Sequence, residues 1–155
     1  MRALALASLL VASLASAAPR IGDAAPPLEL PDRGGKMTTR APGRVTLVDF
    51  SATWCGPCHD ALAALLPLVT PELDLLIVDV GEAPETVRRH YAGLVLPTTV
   101  HVVLDEKGDA ATAWGHRRFP TTFLVDAAGV VRFINRGFGP GYAARIAQHL
   151  AALRP

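Results

Sequence analysis

The stretch Val45-Thr46-Leu47-Val48-Asp49-Phe50-Ser51-Ala52-Thr53-Trp54-Cys55-Gly56-Pro57-Cys58 changes character from one end to the other. Val45 to Phe50 is β-rich and almost wholly apolar, the pattern of a strand buried on both faces. From Cys58 to about Val69 the chain is rich in Ala and Leu, which predicts a helix that Pro67 should kink or end. The Cys-Gly-Pro-Cys step therefore stands where a buried strand hands over to a helix.

A bridge between Cys55 and Cys58 closes almost no loop, so it removes little entropy from the unfolded chain and is a poor staple. Chemistry explains the pair better. A cysteine at a helix N-terminus gains from unpaired N–H groups and the positive end of the helix dipole, which favour the reactive thiolate. Cys55 takes that place and is assigned the attack on a substrate disulfide. Cys58, one turn deeper, resolves the mixed disulfide that results. Gly56 lends the turn freedom, and Pro57 fits a first helical turn, where a missing N–H costs nothing. Asp49 is the anomaly in the strand. Burial should raise its pKa and suit it to exchange a proton with Cys58, the alternative being an acid that only binds backbone or water.

Working outward, Gly22 to Arg44 is rich in Gly and Pro, with a turn at Asp32-Arg33-Gly34-Gly35, and reads as an extended entry hairpin. Downstream, Leu73 to Val80 predicts a second buried strand, Pro84 to Tyr91 a charged helix, and Thr99 to Leu104 a third strand. A turn at Asp105 to Asp109 leads into a short helix ending near Trp114. Thr122 to Val125 and Val130 to Ile134 flank Asp126-Ala127-Ala128-Gly129, a hairpin signal, and Gly141 to Leu153 closes the chain as a helix. The order β-α-β-α-β-α-β-β-α predicts an α/β fold with a central mixed sheet flanked by helices.

The whole chain has 155 residues, half of them apolar, enough for one core and too few for two ordinary domains. Charge is nearly balanced at a formal +1, which provides no basic field for nucleic acid. Arg2, an apolar run from Ala3 to Leu14 and Ala15-Ser16-Ala17 outline a secretory signal peptide over residues 1–17, ahead of a domain over 18–155. The apolar run is shorter than the ~20 residues that span a bilayer, which weighs against an uncleaved anchor. These features predict an exported, periplasmic or other extracytoplasmic protein acting as a monomer.

The run from Val48 to Cys58 resembles the active-site strand and helix start of thioredoxin, and the longer pattern resembles the exported TlpA/ResA-like thioredoxin family. Gly22-Asp23-Ala24-Ala25-Pro26 is similar to that family's entry segment, and a central insertion of βα type is its habit. The resemblance implies a thioredoxin-like fold and a thiol-disulfide oxidoreductase with no cofactor beyond the redox-active cysteine pair. It also implies a disulfide-containing exported protein as substrate, and a membrane partner that supplies electrons if the chain works as a reductant. Phe119-Pro120-Thr121-Thr122 looks like the family's cis-proline segment, whose preceding backbone pairs with substrate; Leu96-Pro97-Thr98-Thr99 repeats the triplet without a hairpin after it. Trp54, Gly56, Pro57, Phe119 and Pro120 are thus the expected substrate-binding residues, although burial alone would also explain Trp54. Ser51, where the family has an aromatic residue, and Ala61, where ResA-like members carry an acid, depart from the pattern and weaken a specific link to cytochrome maturation.

Two other readings use the same cysteines. Cys55-Gly56-Pro57-Cys58-His59 matches the attachment motif of c-type haem, but Met37 is the one methionine beyond the start available as an axial ligand. A copper carrier of thioredoxin fold would use Cys55, Cys58 and a distant His101 or His116, although such carriers space their cysteines more widely. Taken singly, His90, His101, His116 and His149 read as surface or core residues.

Overall fold

The computed structural model describes residues 18–153; the proposed signal segment lies outside them. A short antiparallel pair, β1 (Glu29–Pro31) and β2 (Met37–Thr39), opens the domain. Its turn is tied by Asp32, whose Oδ1 accepts from the amides of Gly34 and Lys36 at 2.8 and 2.9 Å. Then follow β3 (Val45–Ser51), α1 (Gly56–Leu65), β4 (Leu73–Val80), α2 (Pro84–Tyr91), β5 (Val100–Asp105), α3 (Asp109–Ala113), β6 (Thr121–Val125), β7 (Val131–Arg136) and α4 (Tyr142–Ala151).

The main sheet has the order β5-β4-β3-β6-β7, with β3, β4 and β5 parallel and β6 antiparallel to both its neighbours. This is the mixed α/β architecture read from the sequence. The predicted segment Thr99 to Leu104 forms β5 and extends the parallel half of the sheet. Ahead of β1, the entry segment straps β7: Gly22 donates to the Val131 carbonyl at 2.8 Å and Ala25 to that of Gly129 at 2.9 Å. The strap covers backbone that a sheet edge would otherwise expose.

Strand alternation divides the core. Leu47, Leu75, Ile77, Val102, Leu104 and Leu124 face α1, α2 and α4, where Ala61, Leu65, Val87, Tyr91, Tyr142 and Ile146 cover them. Val48, Phe50, Leu76, Val78, Val103, Phe123 and Val125 face the other way, against Leu28, Ala111 and Trp114. Asp49 and Ser51 share the parity of Leu47, and Asp79 shares that of Ile77. All three polar side chains therefore enter the layer beneath α1 and α2.

Helix α1 begins at Gly56, two residues before Cys58, because Pro57 supplies a ready-made φ for the first turn. It ends at Leu65, and Pro67 sits in the 3₁₀ turn Leu66–Leu68 that follows, where the missing N–H interrupts the α-helical ladder. Helix α2 carries Glu85 in its first turn and Arg88, Arg89 and His90 in its last, matching the helix dipole at both ends.

Candidate active site

Cys55 is the N-cap of α1, with φ −86° and ψ 97°. Its Sγ accepts from the Cys58 amide at 3.2 Å, and its carbonyl accepts from the amides of Cys58 and His59 at 3.0 and 3.3 Å. Of these, the Cys58 amide is the donor that reaches the sulfur and favours a thiolate on Cys55. The two sulfurs are joined in a disulfide with a Cα–Cα separation of 5.2 Å. Gly56 has no positive φ, and a Cβ there would meet only open space. The turn itself does not demand glycine; what Gly56 contributes is an unobstructed approach beside Cys55.

Phe119 packs against Ala52, Cys55 and Cys58, and Phe119-Pro120 is the cis bond among the described residues. The carbonyl of Arg118 accepts from Thr121 Oγ1 at 2.6 Å, and that of Pro120 from the Gly137 amide at 2.7 Å. Between them, the backbone of Phe119 has no partner among the described residues and is available to an incoming strand. Trp54 is 69% exposed and meets Phe119 edge to face, so burial does not account for it. Pro97 lies across the domain beside Val69, Thr70 and Pro71.

Asp49 is buried beneath this surface. Its Oδ1 accepts from Thr122 Oγ1 at 2.7 Å, and Thr122 Oγ1 lies 2.6 Å from the Tyr142 hydroxyl. With the Thr122 proton spent on Asp49, the Tyr142 hydroxyl donates to Thr122. Burial pushes Asp49 up to about 7 against the opposing effect of its hydroxyl neighbours. A carboxyl poised there can both take and release a proton at neutral pH.

Several further groups surround the pair. His59 Nε2 lies 2.9 Å from the Thr53 carbonyl, and its ring stacks on His90 with centroids 4.9 Å apart. Glu82 accepts from the Thr53 amide and hydroxyl, at 2.6 and 2.5 Å. Asp79 lies buried on β4 opposite Ser51. An acid interrupting an apolar run singles out Asp79 by the same signal that singles out Asp49. Of the candidate metal ligands, His116 stacks on Phe50 and lies tilted against Phe119, His101 sits on β5 beside Arg33 and Arg88, and Met37 is exposed on β2. Among the described residues, no three potential ligands converge on one point.

A disulfide capping a helix, a free backbone opposite it and a titratable carboxyl below are the parts of a dithiol exchange site. Comparison with known proteins agrees. The redoxin family model matches residues 20–149. The thiol-disulfide oxidoreductase ResA of Geobacillus thermodenitrificans is 31% identical over 143 residues, covering 87% of this chain and 79% of its own. The thiol:disulfide interchange protein HelX of Rhodobacter capsulatus is 31% identical over 63% of this chain and 54% of its own. Among solved structures, one from Chlorobium tepidum described as a thiol:disulfide interchange protein DsbE superposes with a TM-score of 0.79 at 26% identity, over 88% of this chain and 99% of that one. The chain belongs to the redoxin family and is a thiol-disulfide oxidoreductase whose redox centre is Cys55–Cys58.

Proposed function

We propose that this protein is an exported reductant of protein disulfides. The observation that carries the reading is the placement of Cys55 at the N-cap of α1 with Asp49 buried on the face of β3 that α1 covers. In the reduced protein the Cys55 thiolate attacks a substrate disulfide, forming the Cys55–substrate bond and expelling one substrate thiolate. Cys58 then gives its proton to Asp49 and attacks Cys55 Sγ. The Cys55–Cys58 bond forms, the second substrate thiolate leaves, and the substrate has gained the two electrons that the cysteine pair has lost. Phe119 offers its backbone to the substrate strand beside Pro120, and Trp54, with Gly56 and Pro57, forms the contact surface.

The direction rests on the Cys-Gly-Pro-Cys sequence, which is that of the reducing members of the fold. Export rests on the signal-like residues 1–17, and a reductant in an oxidising compartment requires a membrane partner that renews its electrons. Redox titration of the Cys55–Cys58 pair against dithiothreitol, read by thiol trapping, tests the direction. A potential near or below about −250 mV supports a reductase, and one above about −150 mV marks an oxidant.

A further inference from the structure

The end of the sheet that carries the cysteine pair is divided by charge. Strands β3, β4 and β5 finish there, β6 begins there and β7 finishes there, because β6 runs antiparallel to both its neighbours. In the order β5-β4-β3-β6-β7, Cys55 follows the central strand. On the β4–β5 flank, Glu82 follows β4, Asp105 closes β5, and Glu106 and Asp109 lie just beyond, with Lys107 among them. On the β6–β7 flank, Arg117 and Arg118 lead into β6 and Arg136 closes β7. From Gly115 to Arg145 the chain has five arginines and a single acid, Asp126, which Arg132 engages at 2.6 Å at the opposite end of β6. Among the described residues, Arg117, Arg118, Arg136 and Arg145 form no ion pair.

These arginines border the free backbone of Phe119. Arg118 directly precedes it; Thr121 Oγ1 fixes the Arg118 carbonyl, while the side chain is exposed. A Cβ built on Gly137 would lie 3.7 Å from Arg118 Nε, so the guanidinium rests on the loop after β7. That loop is tied to the cis-proline segment, since the Gly137 amide donates to the Pro120 carbonyl and Asn135 Nδ2 to the Gly137 carbonyl, at 2.7 and 2.6 Å. Arg145 braces it from α4, donating to Asn135 Oδ1 at 3.2 Å and to the Pro140 carbonyl at 2.7 Å. Both acceptors are neutral and leave the Arg145 charge uncompensated. The acids across the sheet have partners of their own: Glu82 accepts from Thr53, and Asp105 from the amides of Ala110 and Ala111. Asp60 is the one acid of α1.

We propose that this arginine rim selects disulfide substrates whose cysteine is flanked by acidic residues. A segment pairing with the Phe119 backbone brings its side chains alongside Arg118, Arg117 and Arg136. A guanidinium can meet a carboxylate with two parallel N–H donors, and the positive field of the rim speeds the encounter with an anionic segment. The same field repels a basic one. The inference rests on the oxidoreductase reading of Cys55–Cys58 and names the substrate class for that site, whichever way the electrons flow.

The test uses the reduced protein and two disulfide-linked peptide dimers, identical except that the two residues on each side of the cysteine are Glu in one and Gln in the other. Each rate is divided by that of dithiothreitol on the same peptide, which removes the peptides' own difference in reactivity. At low ionic strength the wild type should prefer the acidic peptide about 3- to 10-fold, the reach of a few exposed ion pairs. In ~1 M salt, where screening acts within about 3 Å, the preference should fall below about twofold. The double variant Arg117→Gln, Arg118→Gln should show a similarly small preference at low salt, and a general loss of activity cancels in the ratio. A wild-type ratio near or below one, or a preference that salt leaves unchanged, overturns the proposal without any variant. A full preference in the double variant overturns it as well, with the oxidoreductase reading intact. A wild type that attacks neither peptide overturns the oxidoreductase reading instead, and the proposal with it.

Discussion

Trp54 and Phe119 meet edge to face, with ring centroids 5.4 Å apart and planes at 90°, so the residue before Cys55 touches the residue before Pro120. The contact joins two loops that are distant in sequence, and only Trp54 of the two is widely exposed. Trp54→Ala should therefore weaken binding of a protein disulfide by about 5- to 30-fold, the usual reach of one aromatic anchor. Attack on a small aromatic disulfide should change little. A KM-against-kcat comparison on both kinds of substrate checks this, and equal losses on both would place Trp54 in the chemistry instead.

Roles for the two sulfurs lead to an asymmetric trapping result. Cys58→Ser should accumulate mixed disulfides through Cys55, because the resolving thiol is gone, whereas Cys55→Ser should trap almost nothing. Non-reducing electrophoresis followed by mass spectrometry of the trapped species reads the outcome. Equal trapping by both variants would contradict the assignment.

Acid held in the core makes stability depend on pH in a specific sense. Asp49 rises to about 7 and Asp79 to about 8 in the fold, above the unfolded carboxyl range near 4. The native state thus binds protons more tightly than the unfolded state. The resulting stabilisation is complete below about pH 4 and is lost as pH rises through 7 and 8. Urea unfolding of the oxidised protein should show stability falling between pH 5 and 9, with Asp49→Asn flattening the fall and gaining on the order of 2–4 kcal/mol over wild type at pH 9.

Thr122→Val offers a finer probe of the same carboxyl. Removing the Oγ1 donor takes away a bond that favours the charged form of Asp49, so its pKa should climb further. If Asp49 accepts the Cys58 proton, the pH midpoint for resolving a mixed disulfide should move upward with it. Stopped-flow measurement of resolution against pH checks the shift, and an unmoved midpoint would remove Asp49 from that step.

Much of this was written locally. Strand β4 and helix α2 fall on the residues that periodicity predicts, since each is bounded by Pro, Gly or a change of polarity. Asp49 could be picked out because it interrupts an apolar strand, Cys55 because its pairing with Cys58 closes too short a loop to be a staple, and Pro120 through the resemblance of its segment to that of a known family. What stayed hidden depends on register. Thr122 reaches Asp49 across 73 residues of sequence only because β6 pairs with β3 at that offset, and Tyr142 joins them from a helix later still. Glu82 has no mark in its local sequence, and it meets Thr53 only because of where β4 ends. His59, which the sequence suggested as part of a haem motif, is engaged with Thr53 and His90.

Trp114 has no exposed surface and packs on Phe50 and Phe123; Phe50 carries His116, and His116 carries Phe119 at 4.3 Å. This column of rings runs from the deepest part of one core layer to the rim beside the Cys55–Cys58 pair. Phe119 is accordingly a fixed ring and Trp54 a free one. If the two grip substrate as proposed, a lineage of such proteins can change what it grips by altering Trp54 at small cost to folding, whereas any change at Phe119 is felt along the whole column.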